Sequence, residues 1–589
     1  MSRGTTGTRL AVTAVMSMAA AFVVACAGNV RPGTVPAVAG AAGAISLDAR
    51  LLEMVDQRRP DTALVDTLLA DGDATRRART ALAVGQARIQ RRYPRLRQLL
   101  LDGDTAIAAN AAYALGIAKD YEAVPALARA VGGAPDPVAR EAAWALGEMG
   151  EMGRTVLTVA LGEGQAKPLL GSPISQRVPD VRAAAVLATV KLRNAPISLV
   201  TPWLADTSAQ VVRAAAYVIA RLRAPSGVRA MLAVRAHADE DVRQYVARAM
   251  HRAAAGDSLG EPAREALRVL LRDASERVRV NAVQSAASYG TQLAEVIEPM
   301  LRDPAPNVRM ATAEAFAEVG ARDTQRWQRA WSADTMLATR RVLLQQVRRL
   351  GLPLFPGIES TWAASADWRY RSASLGSGER GATLDSAVAR RLREDPDPRV
   401  RRTARARLGI RDTAAAGQQP AGGPRNTTPL QRPLADYEAL VQRYWRADTL
   451  PRAYIETEHG IITLELFAKD APLVVEAFTR LARQGQYRNT IFHRVVPNFV
   501  VQDGDISSGD GEGEPPFTLR ESWSRRRHGR GCLGLATAGP DTGGSQYYLC
   551  HSTQPHLDGG YTVFGRVVDG LDVMDRVVQG DRMLRVRVP

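Results

Sequence analysis

A Val-Arg pair recurs along the middle of this chain at a nearly constant interval. Its arginines stand at positions 182, 213, 243, 279 and 309, so the spacings are 31, 30, 36 and 30 residues. Another copy ends at Arg401, and Ile107 and Val138 occupy the valine position of two degenerate upstream copies, 31 residues apart. Self-similarity at such a period is typical of repeat arrays, whose units bury their apolar faces only by stacking on neighbours. Residues 46–411 are therefore predicted to form an array of helical repeats.

The units also share a local composition. Many end in small residues and a glycine, as at 113–116 and 144–147, and small residues let helices approach closely. The pattern resembles HEAT repeats in a short form, and about ten units would fit, with an insertion at 163–178. The resemblance implies an all-α solenoid in which the Asp before Val-Arg, as at Asp180 and Asp241, caps the second helix. It also implies that the arginines bind neighbouring units and that the array binds clients or partner proteins.

The N-terminus has the features of an export signal. Arg3 and Arg9 precede an apolar run over 10–25, which is short for a membrane span. The run ends in Val-Val-Ala-Cys, which resembles the bacterial lipobox, with Cys26 as the lipidated residue. We therefore predict a lipoprotein signal peptide at 1–25, a flexible tether at 26–45, and a protein anchored by lipid to the bacterial cell envelope, facing the periplasm. An ordinary cleaved signal with an incidental cysteine is the alternative.

Charge distribution argues against nucleic-acid binding, and cysteine content excludes a disulfide framework and a cysteine-rich zinc module. The formal charge of +16 and pI near 10.2 are typical of nucleic-acid binding. However, the positive charge is almost entirely Arg and is spread along the chain, which indicates generic basicity, and an exported protein rarely meets nucleic acid. The chain has three cysteines, so a disulfide framework and a cysteine-rich zinc module are excluded.

The C-terminal part has a different pattern, with short β-like runs from 453 onward. Three blocks stand in order there: IFHRVVPNFVVQDGD at 491–505, GLATAGPDTGGSQYYLC at 534–550 and HLDGGYTVFGRV at 556–567. Together they closely resemble the cyclophilin-type peptidyl-prolyl cis-trans isomerases, over 452–589. A linker at 412–433 and a connecting helix at 434–451 are predicted to join this domain to the array. The chain is thus expected to be multidomain.

The resemblance implies a closed eight-stranded antiparallel β-barrel capped by two helices, and an enzyme that needs neither cofactor nor metal. It assigns catalytic roles to Arg494, Phe499 and Gln502. It assigns substrate binding to eight further residues: Val500, Ala536, Ala538, Gln546, Tyr548, His556, Leu557 and Tyr561.

Four of these positions depart from the residues that many family members carry. Tyr548 replaces Phe, Val500 replaces Met and Tyr561 replaces His, and these changes keep the shape of the pocket. His556 replaces Trp, which is the larger change because it alters the rim of the pocket, and the sequence leaves cyclosporin sensitivity open.

The chemistry implied is rotation about an X-Pro amide, whose barrier is about 18–20 kcal/mol. A fixed guanidinium at Arg494 suits donation to the prolyl nitrogen of the twisted amide. The alternative is a non-catalytic envelope scaffold that binds proline-containing segments, but a binder would not need Arg494. Neither Cys550, His551 and His556 nor the acidic loop at 503–512 has the spacing of a metal site. Cys532 and Cys550 are expected to be buried thiols, with a disulfide as the alternative.

Overall fold

The computed structural model describes residues 41–162, 173–256, 258–353, 355, 358–376, 386–410, 432–509, 511, 513 and 517–589. The predicted signal peptide, Cys26, and residues 412–431 of the predicted linker lie outside this set. The first described helix begins at 41, inside the predicted tether. None of the described helices combines the length and apolarity that crossing a membrane requires. The described residues form two compact units, which fall within 1–195 and 196–589.

The described part of the predicted array is helical in both units. In the first unit the α-helices are Ala41–Gln57, Thr62–Leu69, Ala74–Gln86, Tyr93–Leu99, Thr105–Ala118, Val124–Gly133, Asp136–Glu148, Glu151–Leu161 and Pro179–Ala188. In the second they are Ala209–Leu222, Pro225–Ala233, Glu240–Ala249, Arg252–Ala255, Gly260–Leu270, Glu276–Ala287, Ala294–Ile297, Pro306–Glu318, Thr324–Ala333, Leu337–Arg349, Ile358–Ala363, Trp368–Ser374, Ser386–Leu392 and Pro398–Arg407. Short 3₁₀ turns connect several of them: Gln90–Arg92, Tyr121–Ala123, Ile174–Gln176, Thr189–Lys191, Ile197–Leu199, Thr201–Ala205, Gly290–Leu293 and Glu298–Arg302.

The recurrent glycines allow the second helices of successive units to stack closely. A Cβ on Gly85 would lie 2.7 Å from the Cα of Ala114, and one on Gly116 would lie 2.9 Å from the Cα of Ala145. A Cβ on Gly147 would come equally close to the backbone of Ala188. Any larger residue at these positions would force the units apart, which explains why glycine returns with the period of the repeat.

Four of the recurrent arginines bind the next unit, as predicted: Arg213, Arg243, Arg279 and Arg309. Arg243 forms a two-point pair with Asp273, Nε to Oδ2 at 2.7 Å and Nη2 to Oδ1 at 3.0 Å. Its Nη1 donates to the carbonyls of His237 and Ala238 in its own loop. The same pairing recurs at Arg213–Asp239, Arg279–Asp303, Arg309–Asp334 and Arg371–Asp395.

The predicted helix cap was wrong. Asp180 and Asp241 lie inside the first turn of their helices. In the second case the cap is Asp239, whose Oδ1 accepts from the Asp241 N–H at 2.8 Å. A cap must leave the helical region of backbone space, and Asp239 does so with φ −74° and ψ 120°. Asp241 instead pairs with Arg277, so its carboxylate is used between units.

The C-terminal domain is one curled sheet of nine strands with helices packed against it. The strands are β1 (Arg452–Thr457), β2 (Gly460–Leu466), β3 (Thr490–Ile491), β4 (Arg494–Val496), β5 (Val500–Asp503), β6 (Cys532–Leu535), β7 (Tyr547–Cys550), β8 (Val563–Asp569) and β9 (Arg582–Arg587). Their order across the sheet is β3-β9-β1-β2-β8-β6-β7-β5-β4, and the pairs are antiparallel. The helices are Leu434–Leu440, which continues as a π-helical turn Val441–Trp445, then Pro472–Arg483, the 3₁₀ turn Pro555–Leu557, and Leu571–Arg576.

The prediction of a closed eight-stranded barrel was therefore wrong, because the sheet is a nine-stranded half-barrel. Its two edge strands, β3 and β4, are consecutive in sequence, and only residues 492–493 separate them. The Phe492 N–H donates to the Asp581 carbonyl, and the Phe492 carbonyl accepts from the Gly580 N–H. The backbone at Phe492 is therefore bonded to the segment just before β9. The chain crosses from one edge to the other without a ladder between β3 and β4 among the described strands.

Within the unit 196–589 the helical repeats contact the sheet domain directly. The Arg369 guanidinium pairs with Glu458 at 2.9 Å, at the turn between β1 and β2. The Asn307 side chain donates to the Asp575 carbonyl at 3.1 Å. Asn307 and Arg369 are more than 60 residues apart in the array. Several repeats therefore contact the sheet domain and hold it against the array.

Candidate active site

Arg494 is held by a row of side-chain amides on one side of the sheet. It is an exposed residue on β4 and lies opposite Gln502 on β5. Its Nη1 donates to Gln502 Oε1 at 3.2 Å, and Gln502 Nε2 donates to Gln546 Oε1 at 3.0 Å. Gln546 Nε2 in turn donates to the Gly511 carbonyl at 3.1 Å. Each amide therefore has one possible orientation, and the row presents an acceptor to the guanidinium.

An apolar cluster lies beside this row. Val500, Tyr548 and Leu557 are buried in one core cluster, and Phe499 and Tyr561 are partly exposed and pack against it. The rings of Tyr548 and Tyr561 meet edge to face, 6.3 Å apart. Four residues that were not predicted to bind substrate complete the cluster: Phe467, Cys532, Cys550 and Val563.

The guanidinium lies beside this apolar cluster, whose partly exposed face at Phe499 and Tyr561 we call the notch. The Cζ atom of Arg494 lies 5.5 Å from the centre of the Phe499 ring. On Phe499 stacks the imidazole of His556, with ring centres 5.8 Å apart and planes inclined by 23°. His556 Nδ1 lies 2.9 Å from the hydroxyl of Tyr217, on an array helix. The imidazole of His556 thus lies at the rim position where many family members carry the larger indole of a tryptophan.

Tyr548 carries a hydroxyl that a phenylalanine at this position would lack, and a buried network binds it. His528 Nε2 lies 2.9 Å from the Tyr548 hydroxyl, and His528 Nδ1 lies 2.8 Å from Asp558 Oδ1. Burial raises the pKa of Tyr548 well above its usual value, so its hydroxyl stays protonated and can donate to Nε2 when the ring proton of His528 lies on Nδ1, facing Asp558. Sequence reasoning missed His528 because it lies in an arginine-rich loop without a recognisable motif.

Ala536 and Ala538, two of the predicted binding residues, both use their backbone N–H groups within the protein. The Ala536 N–H donates to the Gln546 carbonyl at 3.0 Å, so a substrate would have to meet the Ala536 carbonyl instead. Ala538 is exposed in a turn, where its N–H donates to Thr542 Oγ1 at 2.9 Å, and it does not join the apolar cluster. The structure thus brings Ala536 to the notch and leaves Ala538 outside it.

Cys532 and Cys550 are free, buried thiols on neighbouring strands, as expected. Their sulfur atoms are 3.2 Å apart, and burial raises the pKa of Cys532 well above that of an ordinary thiol. Cys532 therefore stays a thiol and contributes to the floor of the notch.

The acidic loop after β5 is organised around one carboxylate. Asp505 accepts backbone N–H groups from Ser508, Gly511 and Gly513 at 2.8–3.0 Å and the Ser508 hydroxyl at 2.6 Å. These donors outweigh the effect of burial and lower the pKa of Asp505. The loop that carries the Gly511 carbonyl is thereby fixed, and with it the row of amides that ends at Arg494.

Comparison with known proteins agrees with this geometry. Residues 452–588 match the family described as cyclophilin type peptidyl-prolyl cis-trans isomerase/CLD, and residues 62–147 and 228–317 match HEAT repeats. A peptidyl-prolyl cis-trans isomerase of Helicobacter pylori strain J99 is 46% identical over 133 residues, which are 22% of this chain and 82% of the relative. The chain belongs to the cyclophilin-type peptidyl-prolyl cis-trans isomerases.

Two further bacterial isomerases and one solved structure are also similar to the cyclophilin domain. The isomerase of Synechococcus elongatus is 41% identical over 141 residues, which are 24% of this chain and 97% of the relative. Isomerase B of Bacillus subtilis is 43% identical over 129 residues, which are 22% of this chain and 90% of the relative. A crystal structure of a Cryptosporidium parvum cyclophilin is 27% identical, with a TM-score of 0.23, and covers 24% of this chain and 98% of that protein. The cyclophilin domain is a peptidyl-prolyl cis-trans isomerase, and it follows an array of HEAT repeats.

Proposed function

We propose that this cyclophilin isomerises X-Pro bonds in exported or envelope proteins and that Arg494 is its catalytic group. The observation that carries the proposal is the placement of that side chain. Its guanidinium is held by Gln502 at 3.2 Å and lies 5.5 Å from the ring of Phe499, at the mouth of the apolar notch. A proline ring in the notch would therefore have its amide nitrogen next to a directed cation.

The reaction needs stabilisation of a twisted amide and no bond breaking. Resonance keeps the amide planar, so rotation costs about 18–20 kcal/mol, and unaided isomerisation takes tens to hundreds of seconds. In the twisted state the nitrogen becomes pyramidal and gains a basic lone pair. Arg494 can donate to that lone pair, and its anchoring by Gln502 means that little reorganisation is needed when the charge develops.

The other predicted residues hold the substrate. Phe499, Val500, Tyr548 and Leu557 form an apolar surface against which a proline ring can pack. Gln502 and Ala536 lie beside this surface, and we assign the Gln502 side chain and the Ala536 carbonyl to binding the backbone on either side of the proline.

We also propose that the HEAT repeats serve as a scaffold for clients or partner proteins. Repeat arrays bury little of their long faces within themselves and commonly use them to bind polypeptides. The array residues that contact the cyclophilin domain, such as Arg369, are not available for this, so the scaffold surface is the remainder of the array.

The cell envelope is the proposed location. Two arginines, an apolar run over 10–25 and Cys26 support it. We expect the expressed chain to fractionate with membranes and a Cys26→Ser variant to be released, because acyl chains supply about 0.8 kcal/mol for each buried CH₂. Equal membrane association of both chains would contradict the lipid anchor.

The activity is tested with Arg494→Ala in the full chain, on short X-Pro peptides. We expect kcat/KM to fall on the order of 100-fold to 1000-fold, the range for removal of one preorganised donor. Arg566→Ala is the matched control, because Arg566 is also an exposed arginine of the sheet but pairs with Glu465 on β2. Unchanged turnover in the Arg494 variant would exclude Arg494 as the catalytic group. A wild-type chain without turnover would leave a scaffold that only binds proline-containing segments.

A further inference from the structure

A tyrosine of the HEAT array reaches the rim of the isomerase notch. Tyr217 lies on the helix Ala209–Leu222, is 4% exposed, and places its hydroxyl 2.9 Å from His556 Nδ1. Its ring meets that of Tyr245 edge to face at 5.4 Å. The Tyr245 hydroxyl donates to the Thr553 carbonyl at 3.4 Å, three residues before His556. Two array tyrosines therefore hold the segment that carries His556.

The array also holds the other side of the notch. Asn498, directly before Phe499, donates from Nδ2 to the Arg277 carbonyl at 2.8 Å. Its own carbonyl accepts from Ser552 Oγ at 2.6 Å and from Gln554 Nε2 at 2.9 Å. The segments that carry Phe499 and His556 are thus bonded to each other and to the array.

The hydrogen bond between Tyr217 and His556 joins the phenol hydroxyl to one ring nitrogen. Burial raises the pKa of Tyr217 to about 12, so the hydroxyl keeps its proton and can donate to Nδ1 when the imidazole carries its proton on Nε2. With Nδ1 tied to Tyr217 and one face stacked on Phe499, the His556 ring has a single orientation.

We propose that Tyr217 is a positioning residue of the isomerase, which sets the orientation of His556 at the rim and thereby the binding of the substrate. The array is then part of the substrate site, in addition to being a scaffold. This inference rests on the proposed function, since it assumes that X-Pro substrates occupy the notch beside Phe499.

The test is Tyr217→Phe in the full chain, with kcat and KM measured on an X-Pro peptide. The variant keeps the ring that packs on Tyr245 and removes only the hydroxyl. We expect KM to rise about threefold to tenfold, as for loss of one net hydrogen bond, and kcat to stay within about twofold, because a rim contact is made in ground and transition state alike. Tyr289→Phe is the control: Tyr289 is equally buried in the array, but its hydroxyl donates to the Met250 carbonyl, within the array.

A double-mutant cycle with His556→Ala shows whether the hydroxyl acts through the imidazole. We expect Tyr217→Phe to have no effect on KM in the His556→Ala background, whereas independent effects would overturn the proposal. Tyr217→Met, which fills the space without a hydroxyl, replaces the phenylalanine variant if that chain does not fold. An active wild type with an unchanged KM in both Tyr217 variants would also overturn it. An inactive wild type would instead contradict the proposed function.

Discussion

At the scale of single residues, two neighbouring carboxyl groups after Gln502 have opposite electrostatic environments. Asp505 is surrounded by N–H and hydroxyl donors, which keep it charged. Asp503 is fully buried on β5, and burial raises its pKa to about 7, although the Gly504 N–H opposes the shift. Asp505 therefore organises a loop. Asp503 is a neutral core residue at acidic pH and a buried charge above neutrality.

Asp503→Asn should therefore change how stability depends on pH. Between pH 4 and 7 the folded chain holds a proton that the unfolded carboxyl, with its ordinary pKa of 3.8, has released. More protons on the folded state mean that the free energy of unfolding falls as pH rises through this window, and that it levels off above pH 7. Relative to wild type, the asparagine variant should gain up to about 4 kcal/mol between pH 4 and 8.

Urea unfolding at a series of pH values measures this difference. Asp569→Asn serves as the control, because Asp569 is an exposed carboxyl on β8. A difference between wild type and Asp503→Asn that is constant with pH would show that Asp503 titrates normally.

At the scale of the element, HEAT units are linked by an arginine whose guanidinium donates four hydrogen bonds. Arg279 pairs with Asp303 of the next unit through Nε and Nη2, both at 2.8 Å. Its Nη1 donates to the carbonyls of Asp273 and Ala274 at the start of its own helix. Asp303 is itself buried and accepts the Ala305 N–H at 2.8 Å. The recurrent arginine is therefore a structural residue of the repeat, as its conspicuous spacing in the sequence suggested.

Arg279→Ala should cost about 2–4 kcal/mol of unfolding free energy, because it leaves the Asp303 carboxylate buried without its cation. Arg268→Ala should cost less than about 1 kcal/mol, since Arg268 pairs with Glu261 and Glu265 on the exposed surface. Arg279→Lys should fall between the two, because an ammonium cannot form the two-point pair. Thermal or urea unfolding followed by helical circular dichroism compares the three variants, and equal losses for Arg279→Ala and Arg268→Ala would contradict this role.

At the scale of the whole molecule, the later HEAT repeats and the cyclophilin domain share one compact unit, 196–589. Contacts from Tyr217, Arg277, Asn307 and Arg369 reach four separate segments of the sheet domain. A domain held at so many points should not open independently of the helices that hold it. The array and the isomerase are therefore expected to be thermodynamically coupled in this unit.

Amide hydrogen exchange can measure that coupling. Val501→Ala removes a fully buried side chain from β5 and should raise exchange in the sheet and also in the helix Glu276–Ala287, whose Arg277 carbonyl accepts from Asn498. Val568→Ala, at an exposed position of β8, is the matched control and should leave both regions unchanged. Faster exchange confined to the sheet would show that the two parts open separately.

The sequence by itself determined the HEAT array, the cyclophilin domain and the central part of the site. Each of these depends on residues that are close in the chain: the period of the Val-Arg pair, and Arg494, Phe499 and Gln502 within one hairpin. Arg494 and Gln502 face each other because β4 and β5 pair directly, so a contiguous motif was sufficient to place them.

Only the tertiary structure decided the remaining features. The chain passes directly from β3 at one edge of the sheet to β4 at the other, and this placement depends on how β9 pairs with β3. His528 reaches Tyr548 from a loop without a motif, and Tyr217 reaches His556 across 339 residues of sequence. Hydrogen bonds between distant segments depend on the packing of whole elements, and no local periodicity encodes them.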